Sequence, residues 1–310
     1  MDKRIATYDG SQILGIIFLI VIVNVIPYGY IFSLLLLLII FKQIILRMMF
    51  LGPTKKSGIL ENEQWDHIVL ENCRTKISTY QNWKEEISPL VVFVHGWQSS
   101  SKKFEDRMKI FSKKGCHTIA IDMRGHGGSE DTPEWTAGKI ISDVKFLFEN
   151  IDKERVSQVH MYGHSLGGFV CIGLHNKRHT GWWKDLFGTL ILESPMVAYS
   201  PIFSRSISKI QFMEFLLKRW VIEGFHKIHR NYGKLSWDQI DMPKWGNPDC
   251  PILVLQAAND NTLGMYHWNL INLVGTDIEG HILESLTHSK NQINQERDVL
   301  IAKWVDERII

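Results

Sequence analysis

The chain has 310 residues, 45% hydrophobic and 22% charged, which suits one large globular domain plus an extra segment. A net charge of +2, with no basic run interleaved with aromatics, gives no case for a nucleic-acid partner. Its four cysteines (Cys73, Cys116, Cys171 and Cys250) never form a Cys-x-x-Cys pair, so neither a disulfide framework nor a zinc site is expected.

Ile13 to Phe41 carries no charged residue and then meets Lys42 and Arg47. A soluble core helix is rarely apolar on every face for so long, so the stretch reads as a membrane segment. A cleaved signal peptide fits poorly, because no Ala-x-Ala-like site follows the first apolar run and a second begins almost at once. Pro27-Tyr28-Gly29-Tyr30 permits one long kinked span or a shallow hairpin of two short helices. One helix over the whole run would be about 43 Å long, against a hydrocarbon core of ~30 Å. Lys3 and Arg4 precede the segment, and Lys42, Arg47, Lys55 and Lys56 follow it. The positive-inside rule then places the large domain in the cytoplasm, and the lack of any Asn-x-Ser/Thr sequon agrees.

Residues 1–51 are therefore read as a membrane anchor, and 52–64, opening on Gly52-Pro53-Thr54-Lys55-Lys56-Ser57-Gly58, as a polar linker. Residues 65–310 form the main domain. Its first strands, Asp66 to Glu71 and Lys76 to Trp83, flank a turn at Asn72-Cys73-Arg74 and look antiparallel. From Leu90 the rhythm changes. Leu90 to His95 and His117 to Asp122 are apolar runs typical of strands covered on both faces. Phe104 to Lys114 and Thr136 to Asn150 are helical, the latter with Ile140, Val144, Leu147 and Phe148 on one side. A strand over Val156 to Met161, a helix from Gly168 to His175 and a buried strand over Thr189 to Glu193 follow.

Between Met196 and Asn247 the alternation stops. Phe203, Phe212, Phe215 and Trp220 stand among Arg205, Lys209, Lys218 and Arg219, in a stretch too long for an ordinary crossover. It reads as a helical cap insertion over about 196–247. The sheet resumes with Ile252 to Gln256, a helix near Met265 to Leu273, a strand from His281 to Thr287 and a terminal helix from Ile293 to Arg308. Alternating strands and helices imply an α/β fold with a mostly parallel central sheet and helices on both faces.

The chemistry centres on Gly163-His164-Ser165-Leu166-Gly167-Gly168, where a strand meets Gly-x-Ser-x-Gly and a helix follows. A nucleophilic serine at a strand-to-helix elbow needs neighbours two before and two after it that are nearly without side chains, and Gly163 and Gly167 meet that demand. Gly168 lets the helix pack close to the sheet. A serine hydroxyl needs a base to take its proton, and an imidazole needs an acid to fix its tautomer. Asp260 lies in the loop after the strand ending at Gln256, and His288 directly follows the strand ending at Thr287. Both would sit at the carboxyl edge of the sheet, in the chain order Ser, Asp, His of this architecture. Glu193 ends a strand at the same edge and is the rival acid. His281 comes before the last strand, His164 should point away from Ser165, and His126 belongs to a Gly-rich turn. His160, His175 and His179 lack metal-ligand spacing with carboxylates, so no metal is expected, and no cofactor.

Four stretches carry a resemblance: His95-Gly96-Trp97, Asp122-Met123-Arg124-Gly125-His126-Gly127-Gly128-Ser129, the Gly163-to-Gly168 elbow, and the Leu253-to-Asp260 loop paired with Thr287-His288. On them the chain resembles the α/β-hydrolase superfamily from about Trp65 onward. Within it, the chain is similar to the monoacylglycerol-lipase, lysophospholipase and serine-aminopeptidase-like group. It departs from the pattern at Gln256-Ala257, where His-Gly or a similar pair is usual, and at Thr287, where Gly is usual. An oxyanion hole is expected from the N–H of Leu166, next to the nucleophile, and, as the resemblance implies, from that of Trp97. The expected protein is a membrane-anchored serine hydrolase cleaving a carboxylic ester through an acyl-enzyme. The anchor and the apolar, basic insertion point to a lipid of the monoacylglycerol or lysophospholipid type. The same triad would serve a peptidase or thioesterase, and a non-catalytic binding module on this fold is the reading from another class. The partners expected are the ester substrate and the bilayer, with no obligate protein partner.

Overall fold

In the computed structural model, residues 3–54, 56–289 and 292–310 are described; Lys55 of the expected linker lies outside them. The chain opens with α1 (Gly10–Val23) and α2 (Gly29–Phe50). It continues through β1 (Asp66–Asn72), β2 (Thr75–Asn82), β3 (Ser88–Val94), α3 (Glu105–Lys113), β4 (His117–Ile121), α4 (Ala137–Glu149), β5 (Val156–His164) and α5 (Leu166–Leu174). Then come β6 (Phe187–Glu193), α6 (Ser200–Ser206), α7 (Glu214–Ile228), β7 (Ile252–Ala257), α8 (Tyr266–Val274), β8 (Ile278–Leu283) and α9 (Gln295–Arg308).

Among the described residues the eight strands form one sheet in the order β1-β2-β4-β3-β5-β6-β7-β8. β2 runs antiparallel to β1 and β4, and every other pair is parallel. Successive side chains of a strand point to opposite faces, so β3 serves two cores at once. Leu90, Val92 and Val94 pack with Ile140 and Val144 of α4 and Val170 of α5. Val91 and Phe93 pack on the other face with Met108 and Phe111 of α3 and Ile301 and Trp304 of α9. These are the doubly covered strands that the continuous apolar runs implied.

The last strand differs from expectation. β8 pairs with β7 from Ile252↔Ile278 to Ala257↔Leu283, so His281 lies within the strand opposite Leu255. His288 does not follow a strand directly; it sits on a loop beyond Leu283. The reason is the strand's position at the sheet edge, where half-exposed Glu279 and His281 are tolerated and pair with each other at 3.0 Å. The apolar residues that suggested a later strand include Leu286, which is buried from the loop. α5 also starts two residues earlier than expected, immediately after Ser165.

The insertion between β6 and β7 contains α6 and α7 and is closed at its base by an antiparallel bridge, Ala198↔Asp241. The Asp241 carboxylate accepts the N–H groups of Tyr199 (2.6 Å) and Ser200 (3.0 Å). Phe203, Ile207, Leu217, Trp220 and Val221 of this cap are buried, whereas Phe212 and Phe215 are exposed.

Those buried cap residues close on the N-terminal segment. α1 and α2 are two helices, joined by a tight turn with Tyr28 at φ 64° and tied by a 2.6 Å hydrogen bond from Asn24 Nδ2 to Ser33 Oγ. α1 buries no residue. α2 changes character along its length: Ile31, Phe32, Leu34, Leu35, Leu37 and Leu38 are exposed, while Ile45, Leu46 and Phe50 pack into the cap. Gly224 of α7 makes the approach close, since a Cβ there would lie 2.6 Å from the Phe50 ring. Residues before α1 are also fixed. The buried Glu134 carboxylate accepts the N–H groups of Ile5 (2.8 Å), Ala6 (2.9 Å) and Thr7 (2.7 Å) and the Thr7 hydroxyl (2.7 Å). Outside Lys55, the 52–64 stretch lies against the domain: Lys56 Nζ reaches Ser129 O, Ser57 Oγ reaches Gln98 O, and Leu60 is buried beside Trp65.

Replacing Glu134 with Ala would strip four donors of their shared acceptor, three of them on the buried residues Ala6 and Thr7. Unsatisfied groups of this kind cost ~1–3 kcal/mol each, so a total loss of ~2–4 kcal/mol after relaxation is expected. Denaturant unfolding should show that loss, and limited proteolysis should cut between residues 3 and 9 in Glu134→Ala but not in the wild type.

Candidate active site

Ser165 occupies the single residue between β5 and α5, at φ 52° and ψ −120°. A non-glycine residue there carries strain of ~1–3 kcal/mol and persists only where its surroundings over-determine it. They do so here. Ser165 donates its N–H to Glu193 O at 3.0 Å, and its carbonyl accepts from Gly168 and Met196 at 2.9 Å each. Gly167 has no room for a side chain, because a Cβ would lie 1.9 Å from Val94 O. The turn after β3 abuts the same point: a Cβ on Gly96 would meet Ser165 Cβ at 3.0 Å. That contact brings Trp97 to the elbow. Neither the Trp97 N–H nor the Leu166 N–H donates to a protein acceptor among the described residues. The Trp97 side chain is 40% exposed and packs edge-on against Trp135 and His126.

Ser165, His288 and Asp260 form one hydrogen-bonded line. His288 Nε2 lies 2.8 Å from Ser165 Oγ, and His288 Nδ1 lies 2.8 Å from Asp260 Oδ2. All three are at least nine-tenths buried. An ionised carboxylate only accepts, so Nδ1 carries the proton and Nε2 is left to accept from the serine. Asp260 Oδ1 takes the N–H groups of Thr262 and Leu263 at 2.9 Å each, and Gln256 Nε2 reaches Oδ2 at 3.3 Å. Burial pushes the Asp260 carboxyl up, but the His288 bond and these backbone donors outweigh it and hold it below the usual aspartate value. It therefore stays charged at neutral pH and can offset the charge of a protonated His288.

The rival residues have other work. Glu193 is fully buried and gripped by Arg107 through Nε (2.7 Å) and Nη2 (2.6 Å), by the Tyr162 hydroxyl (2.6 Å) and by Arg297 Nη1 (3.6 Å). Burial pushes its carboxyl up, but the two guanidinium groups and His164 bring it down to about 2. His164 donates from Nε2 to the backbone carbonyl of His288 at 2.8 Å, and burial lowers it to about 4, so it is neutral. Its side chain does not face the serine; it steadies the loop that carries His288. His95 fastens two loops, donating from Nδ1 to Gly96 O and accepting from the Met123 N–H. His126 is tied to Arg124 O, and His281 pairs with Glu279 on the edge strand. Sequence reading missed Gln256 and His164. The departure at Gln256 was visible, but only the fold brings its amide to Asp260.

An imidazole so placed can take the Ser165 proton during attack on a carbonyl and return it to a leaving group, while two N–H donors beside the serine can hold an oxyanion. A sequence profile of the family described as serine aminopeptidase, S33, matches residues 85–242, just over half of the chain. The chain belongs to this family of α/β-hydrolases. The family member is 25% identical over 194 residues to a putative esterase/lipase of Mycoplasma pneumoniae, covering 54% of this chain and 70% of that one. Against a lysophosphatidylserine lipase, ABHD12, of Danio rerio, it is 26% identical over 195 residues, covering 59% and 46%. It spans only about a third to a half of the length of most of the curated relatives it matches. An esterase of Pyrococcus furiosus has the same fold, with a TM-score of 0.57 at 14% identity over 82% of this chain and 99% of the esterase.

In Glu193→Gln the two arginines lose their buried counter-charge, and a stability loss of ~3–5 kcal/mol is expected. Since folding lowers this carboxyl from 4.5 to about 2, its contribution is full above pH 4.5 and fades as pH falls toward 2. Urea unfolding of wild type and variant should therefore differ most near neutral pH and converge in acid.

Proposed function

We propose that the protein is a serine hydrolase that cleaves a carboxylic ester through an acyl-enzyme on Ser165. The observation that carries the reading is the unbroken Ser165–His288–Asp260 line at a strained elbow, with 2.8 Å at both joints. Ser165 Oγ attacks the ester carbonyl as His288 Nε2 takes its proton. The N–H groups of Trp97 and Leu166 hold the oxyanion, and Asp260 offsets the imidazolium. His288 then returns the proton to the leaving alcohol. A water activated by the same imidazole releases the acid.

Ser165→Ala and His288→Ala should each lower kcat by on the order of 10⁶-fold, and Asp260→Asn by about 10⁴-fold, with KM little changed. Fluorophosphonate labelling should vanish in Ser165→Ala. A folded Ser165→Ala protein with undiminished turnover would sink the mechanism. Because the family carries an aminopeptidase description, aminoacyl amides belong in the same assay beside acyl esters.

A lipid ester is the substrate class we favour. One relative is named a lysophosphatidylserine lipase, and the N-terminal hairpin presents an apolar surface too large to stay in water. α2 is long and apolar enough to cross a membrane, with mean hydropathy 2.3 over its most apolar window. Its free part is shorter. From Gly29 to Phe41 it measures about 20 Å, less than the ~30 Å hydrocarbon core, because the rest is packed on the cap. The hairpin then dips into one leaflet and returns. Lys3, Arg4, Lys42 and Arg47 at its base favour the cytoplasmic face. Full-length protein should resist carbonate extraction, and epitope tags at the two chain ends should be equally accessible to protease outside inverted vesicles. Tags on opposite sides would exclude the hairpin.

A further inference from the structure

We propose that the docked end of α2 forms one wall of the pocket that receives the substrate's acyl chain, so that Met49 and Phe50 help set chain-length preference. This rests on the reading of Ser165 as the nucleophile and goes beyond it, because it assigns part of the site to the membrane segment.

The cavity concerned reaches the residue next to the nucleophile: Leu166, adjacent to Ser165, and Phe169, one turn along α5, are among its lining residues. Trp135 forms a side, Phe225 of α7 the cap side, and Met49 and Phe50 of α2 close it. The lining is nearly all apolar or aromatic, and most of its polar atoms are already used within the protein. Tyr199 Oη lies 3.5 Å from Met49 Sδ, Thr136 Oγ1 is 2.7 Å from His229 Nε2, and Trp245 Nε1 donates to Phe169 O at 2.7 Å. Two indole N–H groups, those of Trp135 and Trp237, have no acceptor among the described residues. Such a lining suits an alkyl chain and offers little to a charged or sugar-like group.

The α2 wall is fixed. The backbone N–H of Trp135 donates to the Phe50 carbonyl at 2.7 Å, and the Phe50 ring lies over Gly224. Lys42 pairs with Glu223 of α7 at 2.9 Å, one residue before that glycine. Trp135 in turn packs on Trp97 with ring centroids 4.9 Å apart. A continuous run of side chains thus joins the exposed apolar part of α2 to the reacting end of the site. An acyl chain leaving a bilayer would follow one helix the whole way.

The test uses the full-length protein and p-nitrophenyl esters of two to sixteen carbons, presented in mixed micelles. Met49→Trp fills the cavity and should lower the ratio of kcat/KM for the decanoyl to the acetyl ester by about tenfold or more, the scale on which hydrophobic pockets discriminate. Met49→Ala widens the cavity and should raise the palmitoyl-to-decanoyl ratio by about threefold or more, on the same basis. If neither variant moves its ratio by more than about twofold, the wall is not part of the site. A wild type that is inactive on every ester and is not labelled by fluorophosphonate would instead overturn the nucleophile assignment on which the inference stands, and one that is labelled but inactive would overturn the acyl-ester pocket. Fluorophosphonate labelling of each variant separates a changed pocket from a damaged fold.

Discussion

The site depends on holding Ser165 in a backbone conformation that serine disfavours. The clamp is the Ser165 N–H bonded to the carbonyl of Glu193 at the end of the neighbouring strand. That strand end is itself immobilised, because the Glu193 side chain is locked by Arg107, Arg297 and Tyr162. Burying these charges is expensive, and such clusters add little net stability compared with apolar packing. Their return here is geometric. One carboxylate fixes α3, α9 and β5 to the point where the elbow turns, and the same residue's backbone fixes the elbow.

A second layer of order acts on His288, the proposed base. His164 is kept neutral by burial and spends its one donor on the His288 carbonyl. His288 is therefore held at its backbone by the residue preceding the serine and at its ring by Asp260. This matters because the loop carrying it is longer than a tight strand-end turn would be. Asp260 is likewise held by backbone N–H groups and an amide, so its orientation does not depend on the histidine alone.

The sheet was legible in the sequence wherever strands are covered on both faces, since Leu90–Val94 and His117–Ile121 read as unbroken β-forming runs. It was least legible at β8, where an edge position removes the burial that writes an apolar pattern, so both the strand and the step to His288 were misjudged. The residues of the Ser165–His288–Asp260 line were legible because each is tied to a local signal: two glycines around the serine, an acidic loop after a strand, and a histidine near the chain's end. What could not be read were relations between distant segments. Glu134 gripping residues 5–7, Phe50 meeting Gly224, and Gln256 turning toward Asp260 join residues without shared periodicity or spacing.

The packed stretch that includes Lys56, Ser57 and Leu60 bears on how the catalytic domain would ride on a bilayer. Thirteen residues of free chain would act as a leash with a root-mean-square reach of ~20 Å, letting the domain tumble through many orientations. Here both ends of the hairpin are bolted to the domain, one by Glu134 and the other by the cap. If the hairpin seats in a bilayer as proposed, the domain would move across it as a rigid plough, its cleft always presented to the surface at one angle. A lipid substrate of the proposed class would then be met by two-dimensional diffusion, with no orientational search to slow capture.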